Sequence, residues 1–290
     1  MTPKRLMKPV NAGLKMPNSI NTNYGAMVAL QNLTATQDAL ATTQNRVNTG
    51  LKVASARDNG AIWQIAQTMR GNAKSLDTVR DSIQRTQSTS DVALSAGDSV
   101  ADLLLQMKEK ALAASDTSLD ATSRTALNTD FKALRDQITK VVTNASFNGV
   151  NLINSSAVNI AALADAAGTN KMTVQAQNLS LGGTVVTVAT SSSIGTATLA
   201  STMLTTVNTS IANVNTAMAT MGTQNKALAN HLTFVNKLQD SLTAGVGNLV
   251  DADLAKESAR LTALQTKQQL GVQALSISNS GSSMILSLFR

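Results

Sequence analysis

His231 is the single histidine of the 290-residue chain, and there is no cysteine. A proton shuttle or an activated nucleophile needs a base with an orienting partner, and a metal needs converging ligands. No carboxylate cluster stands beside His231 in sequence, so a surface or packed histidine is expected there. HExxH, GxSxG and glycine-rich phosphate loops are absent. No catalytic residue, metal ligand or cofactor is therefore assigned. What remains is the chemistry of association. Asn18–Leu33 (NSINTNYGAMVALQNL) and Gln265–Arg290 (QTKQQLGVQALSISNSGSSMILSLFR) set apolar side chains on a seven-residue beat at both ends. Such a stripe cannot be buried by its own helix and requires a partner.

The elements that carry these stripes read as helices. From Asn23 to about Asn48, Ala26, Leu30, Leu33, Gln37, Leu40, Gln44 and Val47 alternate steps of four and three, which predicts a coiled-coil seam with two polar interruptions. Gln37, Gln44 and Gln268 are either ordinary solvated positions or buried polar residues that fix register. Thr49-Gly50 ends the helix, and Leu51–Gly60 is a non-helical connector. A second helix runs from about Ala61 to Ala114, with Gly71 and Gly97 as weak points. Asp116–Ser123 is a turn, and a third helix carries Leu127, Phe131, Leu134, Ile138 and Val141 on one stripe. Residues 144–199 turn to Asn, Ser, Thr, Gly and β-branched types; Lys171–Gln177 and Thr184–Ala189 read as strands about a Leu181-Gly182-Gly183 turn. Ser191–Thr202 reads as an exposed loop.

The strictest pattern follows. Leu204, Val207, Ile211, Val214, Met218, Met221, Asn225, Leu228, Leu232, Val235, Gln239, Leu242 and Val246 alternate threes and fours, and eleven of the thirteen are apolar. Ala244–Gly247 is expected to loosen this helix. A last helix starts near Asp251 and turns Leu254, Leu261, Leu264, Val272 and Leu275 inward. The fold class is thus mainly α: a long antiparallel coiled-coil-like bundle, a terminal pair plus a rod, with a small β-hairpin insert.

Composition agrees. Apolar residues are 43% of the chain and aromatics only 2%, which suits long helices packed by Ala, Leu, Val and Ile better than an aromatic-lined pocket. No apolar run reaches the roughly 18 residues of a membrane-spanning helix. Of the net charge of +7, four positive residues, Lys4, Arg5, Lys8 and Lys15, lie in the first fifteen. The remainder is only mildly basic and scattered, unlike a nucleic-acid-binding face. Residues 1–15 are read either as a disordered basic extension or as upstream of a true start at Met16; they lack the apolar stretch of a secretory signal.

Several motifs in order resemble bacterial flagellin, most closely the alphaproteobacterial type with a short middle: Asn18–Leu33, Ser55–Gly60 (SARDNG), Asn148–Ile153 (NGVNLI) and Leu270–Arg290. The resemblance implies an exported, extracellular structural subunit that polymerises into the flagellar filament. It further implies a homopolymer, open to mixing with other flagellins, that meets hook-associated junction and cap proteins and an export chaperone, with no nucleic acid and no membrane insertion. The closest alternative is the hook–filament junction protein; a surface adhesin or membrane-active helix would need a broader basic face.

On that basis residues 16–60 and 247–290 form the inner, tube-building part, 61–143 and 200–246 the rod, and 144–199 the outward insert. The expected assembly interface comprises Leu30, Leu33, Leu40, Val47, Leu261, Leu264, Val272, Leu275, Ile285, Leu286, Leu288 and Phe289. The family's glycosylation of its outward region makes Ser191, Ser192, Ser193, Thr196 and Thr198 candidates for O-glycosylation. Ala101–Ser115 corresponds to the segment by which many flagellins engage a vertebrate Toll-like receptor. Gln106 stands where Arg is usual and Lys110 where Leu is usual, so weak agonism is expected.

Overall fold

The computed structural model describes residues 23–287, with side-chain surroundings up to residue 280. In chain order the elements are α1 (Tyr24–Thr49), α2 (Gly60–Ala114), α3 (Ala121–Asn144), β1 (Ser146–Phe147), β2 (Val150–Asn151), β3 (Ile160–Leu163), β4 (Lys171–Val174), α4 (Ala197–Val250) and α5 (Leu254–Ser287). They fall into two compact units. One joins the residues up to Ala66 with those from Val246 onward; the other is Gln67–Gly245.

The first unit is the antiparallel pair α1/α5 and its connector. Asn23 caps α1, its Oδ1 accepting from the Ala26 N–H at 3.0 Å. Gly50 closes the helix at φ 69°, a left-handed cap that a side chain would strain. Leu51 then pairs with Asp251 in an isolated antiparallel bridge, and the Ala252 N–H donates to the Gly50 carbonyl at 2.8 Å. The SARDNG segment is a capping device. The Asp58 carboxylate accepts from the N–H groups of Ala54 and Ser55 at 3.0 and 2.9 Å, and Asn59 Oδ1 accepts from the Ile62 N–H at 3.1 Å to start α2. Asp253 caps α5, accepting from the Lys256 N–H at 3.1 Å.

The second unit is built on the stripes of α2, α3 and α4. Ile83, Leu104, Met107, Phe131, Ile138, Met221 and Leu228 are buried in one core. The α4 pattern holds: Val207, Val214, Met221, Leu228 and Val235 are buried, and Leu204, Ile211, Met218, Leu232 and Leu242 pack against the same core. Gly97 does not interrupt α2 and lies against the flexible end of Met218, which a Cβ there would push aside. Ala244–Gly247, expected to loosen the helix, lies within it, and α4 continues to Val250. Gly245 serves close packing: an added Cβ would lie 2.8 Å from Met69 Cε.

The insert differs from expectation. NGVNLI makes the β1/β2 hairpin, with Asn148 (φ 51°) and Gly149 (φ 78°) in the positive-φ pair of a two-residue turn. Asn151 ties it down, donating to the Val142 carbonyl at 2.8 Å and accepting from the Ile153 N–H at 2.9 Å. Lys171–Val174 pairs with Ile160–Leu163, not with Thr184–Ala189. The latter segment is extended without a strand partner. Val186 and Val188 are buried, while the Thr187 N–H donates to Ser210 Oγ at 3.0 Å, so α4 side chains replace a ladder. The Ser191–Thr202 loop is shorter than read, because α4 already begins at Ala197.

Candidate assembly interface

The α1/α5 seam mixes leucines with small residues. On α1 the inward positions are Ala26, Ala29, Leu33, Thr36, Leu40, Thr43 and Val47; on α5 they are Glu257, Leu261, Leu264, Gln268, Gly271, Leu275 and Ser278. Both keep strict three–four spacing. The helices touch closely, since a Cβ on Gly271 would sit 3.2 Å from Leu33 Cδ1 and one on Gly25 2.8 Å from Ser278 Oγ. Polar clamps mark both ends. Asn23 Nδ2 donates to the Ser278 carbonyl at 2.8 Å, and Arg46 Nη1 meets Glu257 Oε1 at 3.2 Å. Within that ion pair, Arg46 Nε and Glu257 Oε2 are buried without a hydrogen-bond partner.

Two expectations are corrected here. Gln37 and Gln44 are exposed and are not seam residues; Thr36 and Thr43, one position earlier, take their place. Gln268 alone of the three glutamines is in the seam. Leu254 and Val272, expected inward, are 50% and 54% exposed, with Gly271 occupying the seam instead.

Of the expected interface residues, Leu33 is buried, and Leu40, Val47, Leu261, Leu264 and Leu275 are half-buried in the seam. Leu30, at 54% exposure, faces away from it. Ile285 and Leu286 lie on α5 beyond the residues whose side chains are described, and Leu288 and Phe289 lie outside the described residues. The large apolar side chains that the seam does not use are numerous: Tyr24, Met27, Val28, Leu30, Leu254, Leu270, Val272 and Ile277 are all exposed. Exposed apolar side chains in such number on one helix pair point to an interaction surface. Sequence reading missed Ala29, Thr36, Thr43, Glu257 and Gly271; their signal was the equal spacing of small residues one step from the large ones.

The remaining candidates lie in the second unit. His231 Nε2 is 2.7 Å from the Ala164 carbonyl, and its ring stacks on Phe234 at 5.7 Å. It is a packed histidine that ties α4 to the turn after β3. Among the described residues, no group of three or more His, Cys, Asp or Glu could hold a metal ion, and no helix is long and apolar enough to cross a membrane. Of the outward hydroxyls, Ser191, Thr196 and Thr198 are exposed, and Ser192 and Ser193 are half-buried. Ser192 Oγ accepts from the Ala189 N–H at 3.0 Å, and Thr196 Oγ1 from the Leu199 N–H at 3.2 Å.

The sequence matches two family descriptions, the bacterial flagellin N-terminal helical region over residues 20–158 and the bacterial flagellin C-terminal helical region over residues 204–289. Flagellin FljK of Caulobacter vibrioides is 58% identical over 273 residues, covering 94% of this chain and 99% of that protein. A flagellin of Brucella melitensis is 38% identical over 281 residues, covering 94% and 99%. A crystal structure of Bacillus cereus flagellin aligns at 24% identity with a TM-score of 0.48, over 53% of this chain and 88% of that one. Relatives named as flagellins that match nearly end to end do not favour the junction protein, and they agree with the alphaproteobacterial type. With both terminal helical regions matched and both built into one antiparallel pair, the chain belongs to the bacterial flagellin family, as a structural subunit of the flagellar filament.

Proposed function

We propose that the chain polymerises through the α1/α5 pair, with Leu30, Leu33, Leu40, Val47, Leu261, Leu264, Val272, Leu275, Ile285, Leu286, Leu288 and Phe289 as its assembly surface. One observation carries this. Beyond the residues that its seam covers, the pair leaves eight large apolar side chains exposed. Burying such side chains is the main source of association free energy. Residues 61–143 and 200–246 act as the supporting shaft, and 144–199 faces outward. The protein works outside the cell, as a homopolymer that accepts other flagellins, and it meets junction and cap proteins and an export chaperone. Its role is structural, without catalysis, nucleic acid or membrane insertion. Among the glycosylation candidates, Ser191 and Thr198 are favoured by exposure over Ser193, and over Ser192 and Thr196, whose hydroxyls hold local hydrogen bonds.

Seeded elongation of purified monomer tests the reading. The parent chain should extend filament fragments. Leu30→Asp with Leu270→Asp should abolish extension while helicity is retained. Undiminished extension by the double variant would refute this surface.

A further inference from the structure

The α1/α5 pair carries a groove that its own side chains leave open. Successive helix residues are turned by about 100°, so the residues just before a seam position share one side of the pair. Val28, Leu270 and Ala274 stand just before Ala29, Gly271 and Leu275. With Gly25, Leu33 and Gly271 they line a groove of about 430 Å³, a volume in the range of small-molecule sites. Val28 is 38% and Leu270 61% exposed, so the apolar wall faces solvent.

The two ends of the groove differ. The helices are antiparallel: Asn23 Nδ2 donates to the Ser278 carbonyl, and Leu33 lies against Gly271. One end is therefore Gly25 with Ser278, whose hydroxyl donates to Asn23 Oδ1 at 3.3 Å. The other end is Thr36 with Lys267. Lys267 is exposed and forms no ion pair among the described residues, and no Asp or Glu lines the groove. From Gly25 to Thr36 the helix rises about 17 Å at 1.5 Å per residue. Spread over that length, the volume gives a cross-section of about 25 Å². Carbon atoms meet at about 4 Å, so this is room for one alkyl chain and not two. A zigzag chain with C–C bonds of about 1.5 Å advances about 1.3 Å per carbon, so about twelve carbons fill the groove.

We propose that the groove binds one long-chain carboxylate, a fatty-acid anion of about twelve carbons. Its headgroup sits at Lys267, and its tail runs over Leu270 and Ala29 towards Gly25. The occupant is a free single-chain anion rather than a bilayer surface, because membrane attraction is built from several basic residues and the groove offers one. Binding is a property of the free chain and does not require that the chain polymerise.

Calorimetric titration of dilute monomer with octanoate through hexadecanoate, each below its micelle concentration, tests the site. Affinity should rise about twofold per added methylene, since an open groove covers about half of each. It should level off at about twelve carbons, where the tail reaches the Gly25 end. Dodecylammonium should bind about fivefold more weakly than dodecanoate, and Lys267→Glu should reverse that order. Lys267→Gln should level the two headgroups, and it serves should Lys267→Glu lower helicity. Ala274→Phe places a ring in the groove from an exposed position and should weaken dodecanoate binding about tenfold with helicity retained. Affinity that keeps climbing through hexadecanoate would show general partitioning onto apolar surface and overturn the proposal. So would a headgroup preference that the Lys267 variants leave unchanged, full binding by the Ala274→Phe chain, or no saturable binding at all.

Discussion

Leu30 and Leu33 are three residues apart on α1, yet the structure separates their roles, and a paired substitution measures the separation. Leu33 is 8% exposed and packs on Gly271 across the seam; Leu30 is 54% exposed. Fully burying a leucine contributes about 2 kcal/mol, so the exposed half of Leu30 holds about 1 kcal/mol that only assembly can gain. Leu30→Ala should then leave monomer helicity within error and raise the critical concentration for filament elongation about fivefold. Leu33→Ala removes buried atoms from the monomer and should cost the helix pair about 2 kcal/mol, the low end for such changes because the seam is thin. Circular dichroism of dilute monomer, with sedimentation of polymer across a concentration series, reads both quantities. The reasoning fails if Leu30→Ala melts the monomer as Leu33→Ala does, or if it leaves the critical concentration unchanged.

Four further outcomes are expected. Glu257→Ala strands Arg46 in the seam and should destabilise the terminal pair by about 2 kcal/mol, read as faster amide exchange in α1 and α5; Arg46→Leu added to it should recover part of the loss. The Ser55 N–H, foremost, holds the Asp58 carboxyl below the ordinary carboxylate range. A depressed acid contributes stability above its unfolded pKa of about 4 and loses it as pH falls through the lower folded value. Exchange at Ala54 and Ser55 should therefore quicken only in strong acid, and Asp58→Asn should remove that dependence. Gly97→Ala should cost about 1–3 kcal/mol by overpacking against Met218, with Met218→Ala restoring part of it in thermal unfolding. In the receptor segment, Leu105 and Gln106 are exposed and Lys110 is held by Asp130 at 2.7 Å. Purified monomer should be a weak Toll-like receptor agonist, and Gln106→Arg with Lys110→Leu should raise potency roughly tenfold or more; an already potent parent chain would contradict this.

The α4 stripe from Leu204 to Leu242 was legible because its apolar residues face one core, which is the condition under which periodicity reports burial. At the terminal pair that condition fails. Leu30 and Val272 are exposed, so the heptad pattern pointed to them while the seam took Ala29 and Gly271. The error was a single residue on each helix, a turn of about 100°. The same reasoning misplaced Gln37 and Gln44. In the insert, Thr184–Ala189 read as a strand, and Val186 and Val188 are buried, but the segment has no strand partner. The sequence pattern could not tell that Ser210 and Asn213 of α4, rather than another strand, meet the backbone. Ile160–Leu163 gave no signal because Ala161 and Ala162 carry little strand preference. The glycines at 97 and 245 read as helix breakers; only the neighbouring Met218 and Met69 reveal them as packing sites.

The central claim, that this chain is a subunit along the flagellar filament, is tested most directly on cells. Gold-labelled antibody against the segment before α4, where residues 189–191 are exposed, should decorate filaments along their length in electron micrographs. Label confined to a ring beside the hook, or absent from flagella altogether, would contradict it.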